Sequence, residues 1–129
     1  MEKRPINPWT WQSPYNFSQA WKIDKCQSIV FVSGQASLSA DGEVLHEEDF
    51  SGQAHVTLEN IRTVLDNAGA SLKNVIKLGI FLTDMKHFPT FVNILAEYFP
   101  GEKPANTVLG ISGLALPGLL IEVEAIAVL

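Results

Sequence analysis

The run Leu120-Ile121-Glu122-Val123-Glu124-Ala125-Ile126 sets two carboxylates into an otherwise apolar, strand-like segment. In an extended chain Glu122 and Glu124 share one face, roughly 7 Å apart at about 3.4 Å per residue. That is too far to share one proton and near enough to hold a water between them. A carboxylate in an apolar strand is costly unless it is paired, hydrated or put to use. Partial desolvation also raises its proton affinity, so it can exchange protons near neutral pH. Either both side chains face water, at a sheet edge or a central pore, or one of them acts as a base. For Glu124 the water-facing reading is preferred; for Glu122 both stand.

Other chemistry has less to work with. His46, His55 and His87 are far apart, with no His-x-x-x-His pair and no cysteine pair, so no metal is expected. His46-Glu47-Glu48-Asp49 reads as a solvated acidic turn that favours the helix N-terminus after it. The glycine-bearing turns Ser33-Gly34-Gln35 and Gly110-Ile111-Ser112-Gly113 do not match nucleotide-binding fingerprints, so no cofactor is expected. Cys26, between Lys25 and Gln27, has no evident activating base and reads as a bystander thiol.

With 129 residues, 47% of them apolar, the chain can bury the core of one domain. Its net charge is −5 and its basic residues are scattered, leaving no stripe to neutralise phosphates. Nucleic acid and anionic membrane surfaces are therefore not expected partners. A lone cysteine excludes an intrachain disulfide and suits a reducing compartment. Met1–Gln12 lacks the apolar run of a secretory signal. Leu114–Leu129 is broken by Pro117, Gly118, Glu122 and Glu124 and does not suit a membrane span. The expected location is cytoplasmic.

The elements that must position these residues follow from periodicity and punctuation. Residues 1–14 contain Pro5, Pro8 and Pro14 with Trp9 and Trp11, and read as an irregular arm docked on the body or a neighbour. Residues 15–129 form a single domain. Phe17–Trp21 and Ser28–Val32 read as strands, the second buried and stopping at Ser33-Gly34. Asp49 caps a helix whose stripe is Ala54, Leu58, Ile61, Leu65 and Ala68, closed by Gly69. Asn74–Leu82 is a strand. Asp84 opens a second helix with Phe88, Phe91, Val92, Leu95 and Phe99 as its stripe, ended by Pro100-Gly101. Asn106–Ser112 and Leu119–Val128 close the chain as strands. The expected fold class is α/β (α+β): a β-β-α-β-α-β-β mixed sheet with two helices on one face. The opposite sheet face would stay apolar and uncovered, which calls for self-association.

Several segments, taken together and in order from about Ser18 onward, resemble the YjgF/Rid family of reactive-intermediate deaminases. They are Phe17-Ser18-Gln19-Ala20, Phe31-Val32-Ser33-Gly34-Gln35, Gln53 with Leu58-Glu59-Asn60, and Ala68-Gly69-Ala70. Leu82-Thr83-Asp84, Val92-Asn93, Ala96-Glu97-Tyr98-Phe99, Pro104-Ala105 and Ile121-Glu122-Val123-Glu124-Ala125 continue the match. The resemblance implies a chorismate-mutase-like fold and a homotrimer with sites in the clefts between subunits. It also implies hydrolysis of enamines and imines such as 2-aminoacrylate and 2-iminopropionate: water adds to the imine carbon and ammonia leaves.

In active members an arginine after Pro-Ala grips the substrate carboxylate. A tyrosine near the N-terminus, the Ser-Gly turn and the first glutamate of the last strand complete the site. Ser33, Gly34, Asn93 and Glu122 match, and Glu122 would orient or deprotonate the water. Pro104-Ala105, however, is followed by Asn106, and a neutral amide cannot replace a forked, charged guanidinium. Ungapped alignment on Ser18-Gln19-Ala20 puts Phe17 at the tyrosine position, whereas Tyr15 would need a two-residue insertion. The chain is thus similar to an arginine-less branch.

Three functions fit these residues. The first is an enamine/imine deaminase-type hydrolase of small metabolites with altered specificity. The second is a non-catalytic metabolite-binding trimer, and the third an interaction or chaperone-like protein. The missing cation could also be supplied by Lys103 or by a neighbour's Arg62.

Overall fold

The computed structural model describes residues 1–129. Alternating side chains and turn residues produce six strands, and two amphipathic stretches produce helices. In chain order these are β1 (Glu2–Ile6), β2 (Ala20–Asp24), β3 (Ile29–Ala36), α1 (Phe50–Asn67), β4 (Val75–Leu82), α2 (Phe88–Tyr98), β5 (Ala105–Gly110) and β6 (Ile121–Val128). The main sheet runs β3-β6-β4-β5, with β4 and β5 parallel and the other two pairings antiparallel. Leu78, Ile80 and Leu82 of β4 and Ile121, Val123 and Ala125 of β6 face the helices. There they pack with Leu58, Ile61 and Leu65 of α1 and Phe91, Ile94 and Leu95 of α2. Both helices therefore cover one sheet face, as the pattern of the sequence requires.

α1 starts where Asp49 accepts a hydrogen bond from the Gly52 N–H at 3.0 Å, a cap worth about 1 kcal/mol. Gly69, at φ +74°, turns the chain after it. Asp84 accepts from the Lys86 N–H and opens a short 3-10 turn, Met85–His87, that leads into α2. No helix is long and apolar enough to cross a membrane.

Three expectations are corrected. The N-terminal arm is not irregular throughout: β1 pairs antiparallel with β2, so the order gains a strand. Pro5 is tolerated because β1 is an edge of a two-stranded ladder, where a missing N–H costs little. The strand expected at Phe17–Trp21 instead begins at Ala20, and Phe17 lies outside it. Ser18 holds that stretch to the sheet, its N–H donating to the Pro104 carbonyl at 3.0 Å and its Oγ to the Lys103 carbonyl at 2.5 Å.

The third correction concerns β3, which is an exposed edge rather than a buried strand, and Ser33-Gly34 does not stop it. Val32 pairs with Ala125 and Gln35 with Val123, so Ser33 and Gly34 together oppose Glu124 as a β-bulge. Phe31, opposite Ile126, is 74% exposed on the face away from the helices. Phe81, Leu109 and Ile126 share that face with Lys77, Thr107, Glu122 and Glu124. Nothing in the chain covers it.

Candidate functional site

The carboxylates of β6 take their positions from two glycines. Glu122 folds over Gly34, so closely that a Cβ there would overlap its Oε1. Glu124 lies over Gly79, where a Cβ would come within 2.7 Å of Oε1. Both therefore share the uncovered face, as the strand parity of the sequence implies. Glu122 is half-buried between β3 and β4, whereas Glu124 is exposed. The bulge at Ser33-Gly34 opens the space that Glu122 occupies, and Ser33 stands exposed beside it.

The beginning of β6 is pinned from below by a residue whose role the sequence does not disclose. Gln53 of α1 is fully buried. Its Nε2 donates to the carbonyls of Gly118 (2.7 Å) and His46 (3.2 Å), and its Oε1 accepts from the Leu120 N–H (2.8 Å). A polar residue at a stripe position of an amphipathic helix was the one available sign.

On the other side of the sheet, at the β5 edge, lies a cup of about 200 Å³. Tyr15, Phe17 and Asn106 line it together with Phe88, Val92, Leu95 and Val108. Asn106 points there because it pairs with Leu78, a residue of the helix-facing side. Tyr15 stacks on Phe88 with centroids 6.1 Å apart and planes at 15°. Phe17 and Trp11 form a T-shaped pair with centroids 5.8 Å apart, which places one arm tryptophan at the rim; contrary to the docking expected of the arm, Trp9 and Trp11 are both exposed within the chain. Asn16, at φ 60°, donates to the Val92 carbonyl at 2.9 Å and ties this segment to α2. The rival candidates Tyr15 and Phe17 thus line one cup. In the sequence Phe88, Val92 and Leu95 carry only the signal of a core stripe, and Val108 only that of a strand.

The candidate residues therefore fall into two groups in one chain. Tyr15, Phe17 and Asn106 meet on the helix side, while Ser33, Gly34 and Glu122 meet on the uncovered side. Asn93 belongs to neither: it is exposed on α2, next to Val92 of the cup wall. No cation lines the cup. The Lys103 ammonium is bonded to the Phe99 carbonyl, and Arg62 holds Glu59 at 2.7 and 2.9 Å beneath the Tyr98 ring. Two groups that do not line the cup have displaced pKa values. Burial and the Glu59 carboxylate push the Tyr98 phenol up to about 12, and the Lys86 N–H holds Asp84 below its ordinary value.

The model of the family described as Endoribonuclease L-PSP matches residues 10–129. The chain belongs to this family, the YjgF/Rid family. Among Rid relatives, the chain is 41% identical over 103 residues to 3-aminoacrylate deaminase RutC of Acinetobacter baylyi, covering 80% of this chain and 81% of that one. It is 35% identical over 112 residues to protein HMF1 of Saccharomyces cerevisiae, covering 87% and 83%. The crystal structure of YyfB from Yersinia pestis, a Rid protein of unknown function, superposes with a TM-score of 0.90 at 33% identity over all of both chains. The two helices and the mixed sheet are thus the Rid fold.

Proposed function

We propose that this Rid chain is a cytoplasmic hydrolase of small enamines and imines, working without a cofactor as a homotrimer. In this reading the uncovered face of one subunit lies against the cup edge of the next, so that Glu122 and Ser33 of one meet Tyr15, Phe17 and Asn106 of the other. The observation that carries it is the half-buried Glu122 carboxylate laid over Gly34, on a face with apolar surface left to cover. The deaminase named among the relatives supports the reaction class. Glu122 accepts a proton from water as its oxygen bonds to the imine carbon; the nitrogen takes up protons, the C–N bond breaks, and ammonia and a carbonyl compound leave. Specificity departs from 2-imino acids because Asn106 stands where active members carry arginine.

Glu122→Gln keeps the shape but cannot accept a proton. It is expected to lower turnover by about 100-fold or more while ligand binding is retained. Undiminished turnover would remove Glu122 from the mechanism.

The absence of a cation in the cup favours a second reading, a trimer that binds a metabolite without converting it. Ligand binding with no turnover of any imine by the wild-type chain would decide for it. RNA cleavage is no part of the proposal, because the chain carries −5 charge and its nine basic residues are scattered along it.

A further inference from the structure

The cup states what kind of substituent its ligand carries. Six of its seven lining residues are apolar or aromatic, and Asn106 supplies the one amide. Its volume, about 200 Å³, is of the same order as the ~150 Å³ of an apolar cavity that takes up benzene. Tyr15, Phe17 and Phe88 give the cup three aromatic rings, the first and last stacked at 15°, and aromatic linings suit another ring face-on or edge-on. A carboxylate in this space would lose its water and gain no cation, since Lys103 is bonded to the Phe99 carbonyl and Arg62 to Glu59.

We infer that the cup takes a benzene-sized apolar group, so that the substrates are imines or enamines bearing an aryl or branched alkyl substituent, with no carboxylate at that position. This rests on the hydrolase reading for its chemistry but not for its binding. Asn106 is the orienting group: its NH2 donates to an imine nitrogen or a carbonyl oxygen, or its Oδ1 accepts from an imine N–H, at the cup mouth without requiring charge. For an aryl aldimine the balance is simple. The water oxygen bonds to the imine carbon, both water protons pass to nitrogen, the C–N bond breaks, and one aldehyde and one ammonia are formed.

Two probes separate binding from turnover. Benzamide is a planar, neutral aryl ligand and pyruvate its carboxylate counterpart; both are titrated into the intact oligomer by calorimetry and by methyl NMR. Benzamide is expected to bind roughly 10- to 100-fold tighter than pyruvate, the factor that one missing charge-assisted bond confers. It should shift the methyl signals of Val92, Leu95 and Val108. Val108→Phe fills the cup and should abolish that binding, and Asn106→Arg should reverse the preference toward pyruvate. Pyruvate binding as tightly as benzamide, or benzamide binding unaffected by Val108→Phe, would overturn the inference. So would a cup already filled by a neighbouring subunit's side chain, seen as no binding of either probe.

Turnover is then measured on benzaldimine, generated from benzylamine by an amine oxidase, and on 2-iminopropionate, generated from alanine by an amino-acid oxidase. Faster hydrolysis of benzaldimine is expected. Benzamide binding without turnover of either imine keeps the apolar subsite and refutes the hydrolase. Turnover of 2-iminopropionate without benzamide binding keeps the hydrolase and refutes the subsite.

Discussion

Gly34 decides where the Glu122 carboxylate can lie, because a methyl group there would occupy the space of Oε1. The obstacle is the far end of a flexible side chain, so Gly34→Ala should displace the carboxylate rather than damage the fold. Stability is expected to change by less than about 1 kcal/mol, while turnover falls by roughly 10- to 100-fold, as a misplacement of about 1 Å can cause. Thermal unfolding alongside steady-state kinetics checks both halves. Unchanged kcat would mean that the carboxylate need not sit where the structure puts it. At this scale the sequence was informative where spacing alone carries meaning: Glu122 and Glu124 share a face because strands have a period of two. The resemblance singled out Asn106, but which face of the sheet it takes follows from the register of β5 against β4, which pairs it with Leu78.

Between elements, Gln53 is the residue that couples α1 to the start of β6. Gln53→Leu would leave the Leu120 N–H and the Gly118 carbonyl without their partner in a part-buried setting. The expected loss is about 1–3 kcal/mol, the cost of leaving a polar group unpaired out of full contact with water. Urea unfolding of the variant measures it, and a change below about 0.5 kcal/mol would show that water replaces the amide. Both helices, β4 and β6 were legible because apolar period, caps and glycine punctuation agree there. β1 was not, because Pro5 and Pro8 read as breakers and only its partner β2 makes an edge strand of Glu2–Ile6. β3 was cut short for a related reason: Ser33-Gly34 reads as a stop in one dimension, and only pairing with β6 turns it into a bulge.

For the molecule as a whole, the sheet has one face packed on helices and one that carries Phe31 beside Ile126 and, further along the strands, Phe81 beside Leu109. The two halves of the proposed site lie on opposite sides of this sheet, so one chain cannot bring Glu122 to the cup. Homotrimerisation, proposed here from that separation and from membership of the Rid family, closes the gap by pairing neighbours. Mixed oligomers test this most directly. Glu122→Gln chains have intact cups, and Val108→Phe chains have intact carboxylates, so each alone should be inactive. Co-expressed in equal amounts, they are expected to recover about one quarter of wild-type imine turnover, because each cleft needs the right chain on both of its sides, each present with a probability of about one half. A mixture that sediments as a trimer yet stays as inactive as either variant alone would contradict a site shared between subunits.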